Sequence, residues 1–468
     1  MSKRGRRNRK SDQGDARVRK FLEEVNLNAA GIDIGASRHW VAVPPDRTGD
    51  IVRSFGVHTR DLNRLADWLD ACCVDTVAME STGVYWIPLY EILESRGFEV
   101  VLANAQHVKN VPGRKTDVLD CQWIQQLHTY GLLRGSFRPS EEIVALRSLL
   151  RHRQKLLQGC AAHIQRMQKT LVLMNLQLPR VLTDITGVTG MAIIRDIVAG
   201  QTDPTVLARH RDKRCNASEQ QFIEAMTGHY RAEQVFLLRQ HLEMYDYHRT
   251  KIAECDLEIE RQLADLQGRC DPPEQPLPPR RRRRSSTNEP DFDIRSPLHK
   301  MCSGVDLTQV PGIAPLGALT LIAELGTDMS RWPSARHFTS WLTLAPHNKV
   351  SGGKRLSSKT QPSANRAAAV FRMAAMANSR SDNAIGSYYR RLAFRIGTPK
   401  AITATARKLA VIVYSMLKHG TPYDPLAASA HPRKLAERRL RSITKTAAQL
   451  GYRLVPDPDS PATASAVS

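Results

Sequence analysis

The sequence is short of acidic residues relative to basic ones, and this deficit limits its partners. Across 468 residues, 46 Asp and Glu stand against 68 Lys and Arg, which gives a formal net charge of +22. Such a surplus favours a polyanionic partner, and among polyanions it favours nucleic acid over a membrane surface. A chain of this length can bury sizeable cores, and we expect two or three domains.

Paired cysteines and long apolar runs are also missing. None of the eight cysteines forms a C-x-x-C pair, which excludes a zinc ribbon and a disulfide framework and favours free thiols in a reducing cytoplasm. No stretch reaches the apolar length of a transmembrane helix, and the basic N-terminus lacks the apolar core of a secretory signal. We therefore expect a cytoplasmic protein with no membrane partner.

Four carboxylates follow or abut apolar runs in the first third of the chain, namely Asp33, Glu80, Asp117 and Asp120. A folded chain rarely leaves a carboxylate in such a place without a role. The last two are three residues apart, so a helix that begins there carries both on one face. Clustered acids repel each other unless cations lie between them, and oxygen ligands select Mg²⁺ or Mn²⁺. The pattern predicts a two-metal site that cuts a phosphodiester backbone.

The order of elements around these acids predicts a ribonuclease-H-like α/β domain. A single Asp after a strand is more often a helix cap or a turn residue, but four acids in this order are harder to explain in that way. The order runs from a strand with Asp33 through hairpin strands and a helix to a strand ending near Glu80, then helix, strand, and a helix opening with Asp-x-x-Asp. The predicted strands are Ala29–Ile34, Trp40–Val43, Val74–Met79 and Val100–Ala103, and the predicted helices are Asp61–Ala71, Trp86–Arg96 and Asp117–Leu127.

Heptad repeats of apolar residues then predict two long antiparallel helices with a small helical cap. The first stripe contains Ile143, Leu150, Leu157, Ile164 and Leu171 and ends before Pro179; the second contains Leu238, Tyr245, Ile252, Ile259 and Leu266. Between them, a short helix is expected to begin around Thr189 and Gly190 and to close at Gly200. Periodicity alone leaves both packing within the chain and oligomerisation open.

The predicted organisation continues into a mainly α C-terminal domain. The six parts are a basic disordered tail (1–27), the α/β catalytic domain (28–138), a coiled-coil region (139–267), a Pro/Arg-rich linker (268–298), the C-terminal domain (299–425), and a basic helix with a disordered tail (426–468). Within the C-terminal domain, VPGIAPLGALTLIAELG resembles a helix-hairpin-helix element, in which a Pro-Gly turn presents N–H groups to a phosphate.

Basic residues and one turn glycine are candidate nucleic-acid contacts. The five consecutive arginines of the linker form either a solvated spacer or a set of phosphate contacts, and the basic chain favours the latter. The candidates are Lys115, Arg280, Arg281, Arg282, Arg283, Arg284, Gly312, Lys349, Lys354, Arg355 and Arg366.

Ser351 lies in the segment KVSGGKR, beside two glycines that let a backbone approach a phosphate closely. The neighbouring Lys and Arg residues can stabilise charge on that phosphate or on a serine alkoxide. Read alone, Ser-Gly-Gly is most often a turn. Ser357 and Ser358 compete with Ser351, because they lie in the same basic segment.

Taken together, the motifs E-S-T-G-V-Y-W, K-T-D-x-x-D, T-G-V-T-G-x-A-I-I-R, P-G-I and S-G-G-K…N-R-A-A closely resemble those of the IS110/IS1111 insertion-sequence transposases, over about residues 29–425. The resemblance implies a RuvC-like DEDD domain, a coiled-coil region and a C-terminal transposase domain. It implies that the four acids hold two Mg²⁺ ions, or Mn²⁺, and that Ser351 is the nucleophile. Ala314 and Gly317 differ from the residues usual in the helix-hairpin-helix motif, and the insertion before the last domain is long.

The same resemblance implies a prokaryotic, nucleoid-associated protein, and it implies the partners of the protein. They are donor and target DNA, a structured non-coding RNA that pairs with both, and further copies of the chain in a dimer or tetramer. Two other functions remain open. One is a metal-dependent junction endonuclease in which Ser351 is a turn residue, and the other is a non-catalytic repressor that binds nucleic acid.

Overall fold

The computed structural model describes residues 24–103 except 82, 116–279 except 134, 288–425, and 443–455 except 445 and 454. Lys115, the Arg280–Arg284 run, the N-terminal tail up to residue 23 and most of the predicted C-terminal segment lie outside these residues. The chain separates into two compact units, residues 1–138 and 139–468.

The first unit is a mixed α/β domain built on a five-stranded sheet. Across the sheet the strands follow the order β3-β2-β1-β4-β5, in which β1 is antiparallel to β2 and parallel to β4. In chain order the elements are β1 (Ala29–Ile34), β2 (Arg38–Ala42), β3 (Val52–Gly56), α1 (Thr59–Ala71), β4 (Thr76–Glu80), α2 (Trp86–Ser95), β5 (Glu99–Ala103) and α3 (Asp117–Thr129). The sequence implied hairpin strands but did not delimit β3, whose residues are only partly buried.

Different helices cover the two faces of this sheet. Alternate residues of β1, such as Ile32, pack into a core shared with α1 and α2. On the other face, Ile124 of α3 packs against Ala78 and Ala103 of the parallel strands. Helix α3 is capped at its N-terminus by Thr116, whose backbone is extended. The Thr116 hydroxyl accepts a hydrogen bond from the Leu119 amide.

The second unit is helical, and two long antiparallel helices form its frame. Its helices are α4 (Glu141–Leu173), α5 (Leu178–Val181), α6 (Val188–Val198), α7 (Pro204–Ala208), α8 (Glu219–Met226), α9 (Ala232–Gly268), α10 (Arg295–Met301), α11 (Pro315–Leu325), α12 (Ala335–Trp341), α13 (Arg366–Ala377), α14 (Ala384–Ile396) and α15 (Thr398–His419). Contacts of Arg153 with Asp256, and of Glu142 with Arg269, show that α4 and α9 run in opposite directions.

The predicted heptad stripes are largely buried within the single chain. Leu150 and Leu171 of α4 and Ile252 and Ile259 of α9 are all buried. Helix α4 ends before the predicted stop at Pro179, because the chain turns at Asn175, where φ is +57°. The short helices α6 to α8 pack on the adjoining ends of the two long helices and share one core with them.

The end of the predicted linker packs into the second unit. Ile294 and Arg295 are buried, and the Arg295 guanidinium donates hydrogen bonds to the Asp306 carboxylate and to the Pro278 carbonyl. Residues 288–298 are thus held by the Arg295–Asp306 ion pair and by buried Ile294. The composition of the segment did not indicate this packing.

A short two-stranded hairpin, β6 (Lys349–Ser351) and β7 (Lys354–Ser357), projects from the helical C-terminal part. The sequence indicated a turn at Ser-Gly-Gly but no strands beside it. Gly352 and Gly353 both have positive φ, which allows a two-residue turn to close the hairpin. No helix among the described residues is long and apolar enough to cross a membrane.

Candidate active site

Two of the four predicted acids lie on adjacent parallel strands of the first unit. Asp33 occupies the fifth position of β1, and Glu80 is the last residue of β4. Ile32 pairs with Met79 in the register between these strands, so the two carboxylates lie at neighbouring positions. Glu80 is 8 % exposed and Asp33 is half-buried. The acids are therefore placed where the carboxyl ends of two buried strands meet.

The other two acids come from the start of α3. Asp117 is the first residue of the helix and is exposed, whereas Asp120 is half-buried. Acids in the first turn of a helix also interact favourably with the helix dipole. Asp117 and Asp120 could each have this structural role without taking part in a metal site. Their proximity to Asp33 depends on how closely α3 approaches β1.

Gly31 sets this close approach. A Cβ at Gly31 would lie 2.2 Å from the Gln125 amide nitrogen and 2.4 Å from the Cys121 carbonyl oxygen. Both atoms belong to the backbone of α3, so they cannot move without the helix. Side chains alternate along a strand, and Gly31 and Asp33 therefore face the same side. The lack of a side chain at Gly31 lets α3 lie directly on the strand that carries Asp33.

The acids affect one another electrostatically. Burial, and then repulsion from nearby carboxylates, raises the pKa of the Asp33 carboxyl to about 6. The carboxylates that contribute are Asp117, Asp120 and Glu80. Burial, with a smaller effect of Asp33, also raises the pKa of the Cys121 thiol to about 12, so this thiol stays neutral. The structure thus brings the four predicted residues into one electrostatic group.

This group fits a divalent cation by its chemistry and charge. Its donors are carboxylate oxygens, which hard ions such as Mg²⁺ and Mn²⁺ prefer, and a cation would relieve the repulsion that raises the Asp33 pKa. Within the described part of the chain, however, no group of three or more His, Cys, Asp or Glu side chains is already arranged to hold a metal ion.

A buried histidine fixes the far end of α3. Nε2 of His128 lies 2.8 Å from the Thr76 hydroxyl oxygen, and this hydroxyl donates to the Glu99 carbonyl. Because the hydroxyl proton is used in that bond, Nε2 of the imidazole is the donor to Thr76. Burial lowers the pKa of His128 to about 4. Helix α3 is thereby held to β4 at the end opposite the acids.

Ser351 lies in the second unit, at the end of β6 next to the turn of the exposed hairpin. Its register partner across the hairpin is Lys354, so the ammonium and the hydroxyl share one face, whereas Arg355 pairs with Val350. Ser357 accepts a hydrogen bond from the Lys359 amide and pairs with Lys349. Of the three candidate serines, Ser351 is the one next to the two glycines.

Gly312 and Arg366 line one cleft of about 480 Å³ between α4, α11 and α13. The Arg366 guanidinium donates to Gln154 of α4. Gly312 has a φ of +86°, and a Cβ there would lie 2.5 Å from the Ala374 carbonyl oxygen. This geometry requires glycine for packing alone, whether or not the turn contacts a phosphate.

Comparison with known proteins finds similarity to transposases. A family model described as a DEDD transposase of the IS110 type matches residues 30–175, and a second, described as the IS116/IS110/IS902 transposase family, matches residues 306–390. The first range contains the four acids and the second contains Ser351. An uncharacterized 43.6 kDa protein of insertion element IS110 from Streptomyces coelicolor is 32% identical over 121 residues.

That similarity covers 25% of this chain and 29% of the relative, so the chain aligns with less than a third of that protein. The two family models are separated by more than a hundred residues of the chain, yet they describe the same kind of transposase and follow each other in the expected order. Both matched parts of the chain are therefore similar to IS110-family transposases.

Proposed function

We propose that the protein is a DNA transposase that cuts and exchanges DNA strands with four metal-binding carboxylates and a serine nucleophile. The observation that carries this proposal is the convergence of three carboxylates on Asp33, whose pKa is raised to about 6. Like charges gathered in this way repel each other until a cation or a proton neutralises them. The order of strands in the sheet also supports a ribonuclease-H or RuvC-like domain.

Two Mg²⁺ ions, or Mn²⁺, would activate the attacking oxygen and stabilise the leaving oxygen. Asp33, Glu80, Asp117 and Asp120 would hold these ions and, through them, fix the scissile phosphate. The helix start at Thr116 and the close approach at Gly31 would keep the carboxylates in place.

Ser351 would take the phosphate onto itself. Its Oγ forms a bond to phosphorus while the bond from phosphorus to the DNA 3′ oxygen breaks; the serine loses its proton and the 3′ oxygen gains one. A 3′ hydroxyl of the partner duplex then attacks the phosphoserine and releases Ser351. One phosphodiester replaces another at each step, so no external energy source is needed. Lys354, on the same face of the hairpin, would stabilise the negative charge.

The partners would be donor DNA, target DNA and a structured non-coding RNA that pairs with both. Base pairing to that RNA would choose the sites, while the protein binds backbone and shape. The long helices α4 and α9 would form the coiled-coil region, and further copies of the chain would complete a dimer or tetramer. Gly312 and the α11 start would present amides to a phosphate, as in a helix-hairpin-helix element.

The first experiment tests the metal site. Changing any one of Asp33, Glu80, Asp117 and Asp120 to Ala should abolish Mg²⁺-dependent strand cleavage and leave nucleic-acid binding intact. Glu99→Ala is the matched control, because Glu99 is exposed at the opposite end of the sheet. Full cleavage by two of the four variants would contradict the assignment.

The second experiment distinguishes a serine nucleophile from a metal-only endonuclease. The metal-only mechanism is tested because Ser351 and the acids lie in different units. Ser351→Ala should form neither a denaturation-resistant protein–DNA adduct nor recombinant product, whereas Ser357→Ala and Ser358→Ala should form both. Mass spectrometry of the DNA-linked peptide identifies the nucleophile. A phosphoryl link on another residue, with Ser351→Ala still recombining, would show that the nucleophile is wrong.

A further inference from the structure

The C-terminal part of the chain concentrates positive charge with almost no acidic residues. Residues 329–423 contain 16 Lys and Arg and a single acidic residue, Asp382, so +15 of the net charge of +22 lies there. The sequence prediction assigned only four cations of this segment to nucleic acid, all of them at or before Arg366. Helices α14 and α15 carry further cations that this prediction does not explain.

Helix α14 arranges two aromatic rings and a guanidinium along one line. Tyr388, Arg391 and Phe394 follow at a spacing of three residues, which places them side by side on the helix surface. Phe394 is 97% exposed and is therefore not part of a core. We name these three residues the α14 stripe.

Cations from both helices crowd around the stripe. The Arg391 guanidinium lies 5.6 Å from the centre of the Tyr388 ring, and the Lys408 ammonium of α15 lies 4.6 Å from it. Burial and repulsion from Arg391 lower the pKa of Lys408. Among the described residues, neither Arg395 nor Lys400, which follow Phe394 in the chain, forms an ion pair with an acid. An anion bound here would relieve this repulsion.

We propose that the α14 stripe, together with Arg395 and Lys400, binds single-stranded nucleic acid, with an unpaired base stacked on Phe394. Base stacking on an aromatic ring beside phosphate-binding cations is how proteins bind single strands. In a duplex both faces of each base are covered by its neighbours, so the exposed ring has no face to contact. The inference rests on the proposed function, in which strand exchange exposes unpaired nucleotides.

The test uses the full-length protein and short oligonucleotides that carry one 2-aminopurine, whose fluorescence changes on stacking. Phe394→Ala should weaken binding of single strands about 5- to 150-fold, since stacking contributes about 1–3 kcal/mol per base. Phe394→Trp should retain the affinity and the fluorescence change. Phe236→Ala is the matched control, because Phe236 is also an exposed phenylalanine on a helix, α9.

The salt dependence separates stacking from charge. Phe394→Ala should leave the slope of log K against log salt unchanged, whereas Lys400→Gln should flatten it by about 0.7. Single-stranded DNA, single-stranded RNA and a duplex are compared in parallel, and the single strand that loses affinity identifies the source of the base. Equal single-strand affinities for the Phe394→Ala and Phe236→Ala variants would refute the proposal, as would an equal loss on the duplex.

The outcomes for catalysis and for this surface are distinguishable. Ser351→Ala should bind the single strands as the unaltered protein does. If Phe394→Ala weakens single-strand binding while Ser351→Ala still forms a protein–DNA adduct, only the proposed chemistry is refuted. If the adduct forms on Ser351 while Phe394→Ala leaves single-strand binding unchanged, only the stacking surface is refuted.

Discussion

Replacing Gly31 with Ala tests whether the contact between β1 and α3 positions the acids. The added Cβ would lie 2.2 Å from the Gln125 nitrogen and 2.7 Å from the Gln125 Cα. Ordinary contacts at a Cβ begin near 3.4 Å, so α3 must move away by about 1 Å. Because the nearest atoms are backbone, no rotamer change relieves the clash.

Two losses follow from that shift, and both are measurable. Overpacking of this kind costs about 1–3 kcal/mol of the free energy of unfolding. A displacement of catalytic groups by about 1 Å lowers the rate about 100-fold, because Asp117 and Asp120 move with the helix while Asp33 stays on the strand. Chemical denaturation measures the first loss, and single-turnover cleavage at saturating Mg²⁺ measures the second.

Gly49→Ala is the matched control, because a Cβ at Gly49 has no neighbour within 4 Å. It should change neither the free energy of unfolding nor the cleavage rate appreciably. If Gly31→Ala were as stable and as active as the unaltered protein, the close approach would not position the acids. A loss of stability with an unchanged cleavage rate would also refute that role, and would leave Gly31 with packing alone.

Four further predictions concern charge. Since the pKa of Asp33 is about 6, a proton should compete with Mg²⁺ for this carboxylate below that pH. The Mg²⁺ affinity measured by calorimetry should fall about tenfold per pH unit below pH 6 and level off above pH 6. A flat profile would contradict the assignment. Because the pKa of His128 is lowered to about 4, the contribution of the neutral imidazole to stability is fully present above pH 6.5 and is lost as the pH falls. Between pH 7 and 5 the free energy of unfolding of the unaltered protein should fall by about 2 kcal/mol relative to that of His128→Gln. That comparison is needed because protonation of Asp33, whose pKa is raised, stabilises the metal-free protein over the same range. Glu324→Ala should cost about 1–3 kcal/mol by removing the two hydrogen bonds that the partly exposed Arg151 guanidinium donates to the Glu324 carboxylate, whereas Glu258→Ala, from an exposed pair, should leave the free energy of unfolding nearly unchanged. Duplex binding that neutralises about six phosphates should show a log–log salt slope near −5, and a slope near zero would contradict the charge argument.

Sequence reasoning worked where a residue's role follows from its immediate neighbours. The strands at Asp33 and Glu80 were predicted because each acid ends or follows an apolar run, and the helix at Asp117 was predicted from the Asp-x-x-Asp spacing. The long helices were found from their heptads, since periodicity survives without knowledge of the partner. Their early stop at Asn175 was missed, because a non-glycine residue with positive φ has no reliable signal in one sequence.

The contacts that position the site could not be read in the same way. Gly31 matters through Gln125 and Cys121, which are some ninety residues away in the chain, and only the packing of α3 on β1 brings them together. The His128–Thr76 bond depends on the same packing. Sequence alone gives the acids their identity, whereas the distances between them are set by long-range contacts.

Phe394 shows what a local pattern leaves undecided. In YYRRLAFRI, Leu392 and Phe394 are two positions apart and so lie on opposite sides of α14, where Leu392 is buried and Phe394 is almost fully exposed. The signal for a role of Phe394 is charge, because Arg391 and Arg395 flank it and 16 cations accompany one acid across residues 329–423. A single exposed apolar residue is common on protein surfaces, so the neighbouring cations are what distinguish this ring. In a surface this basic, the cover most consistent with the charge is a nucleobase held between phosphates, which makes the affinity of Phe394→Ala for single strands the most direct measurement of what this part of the chain binds.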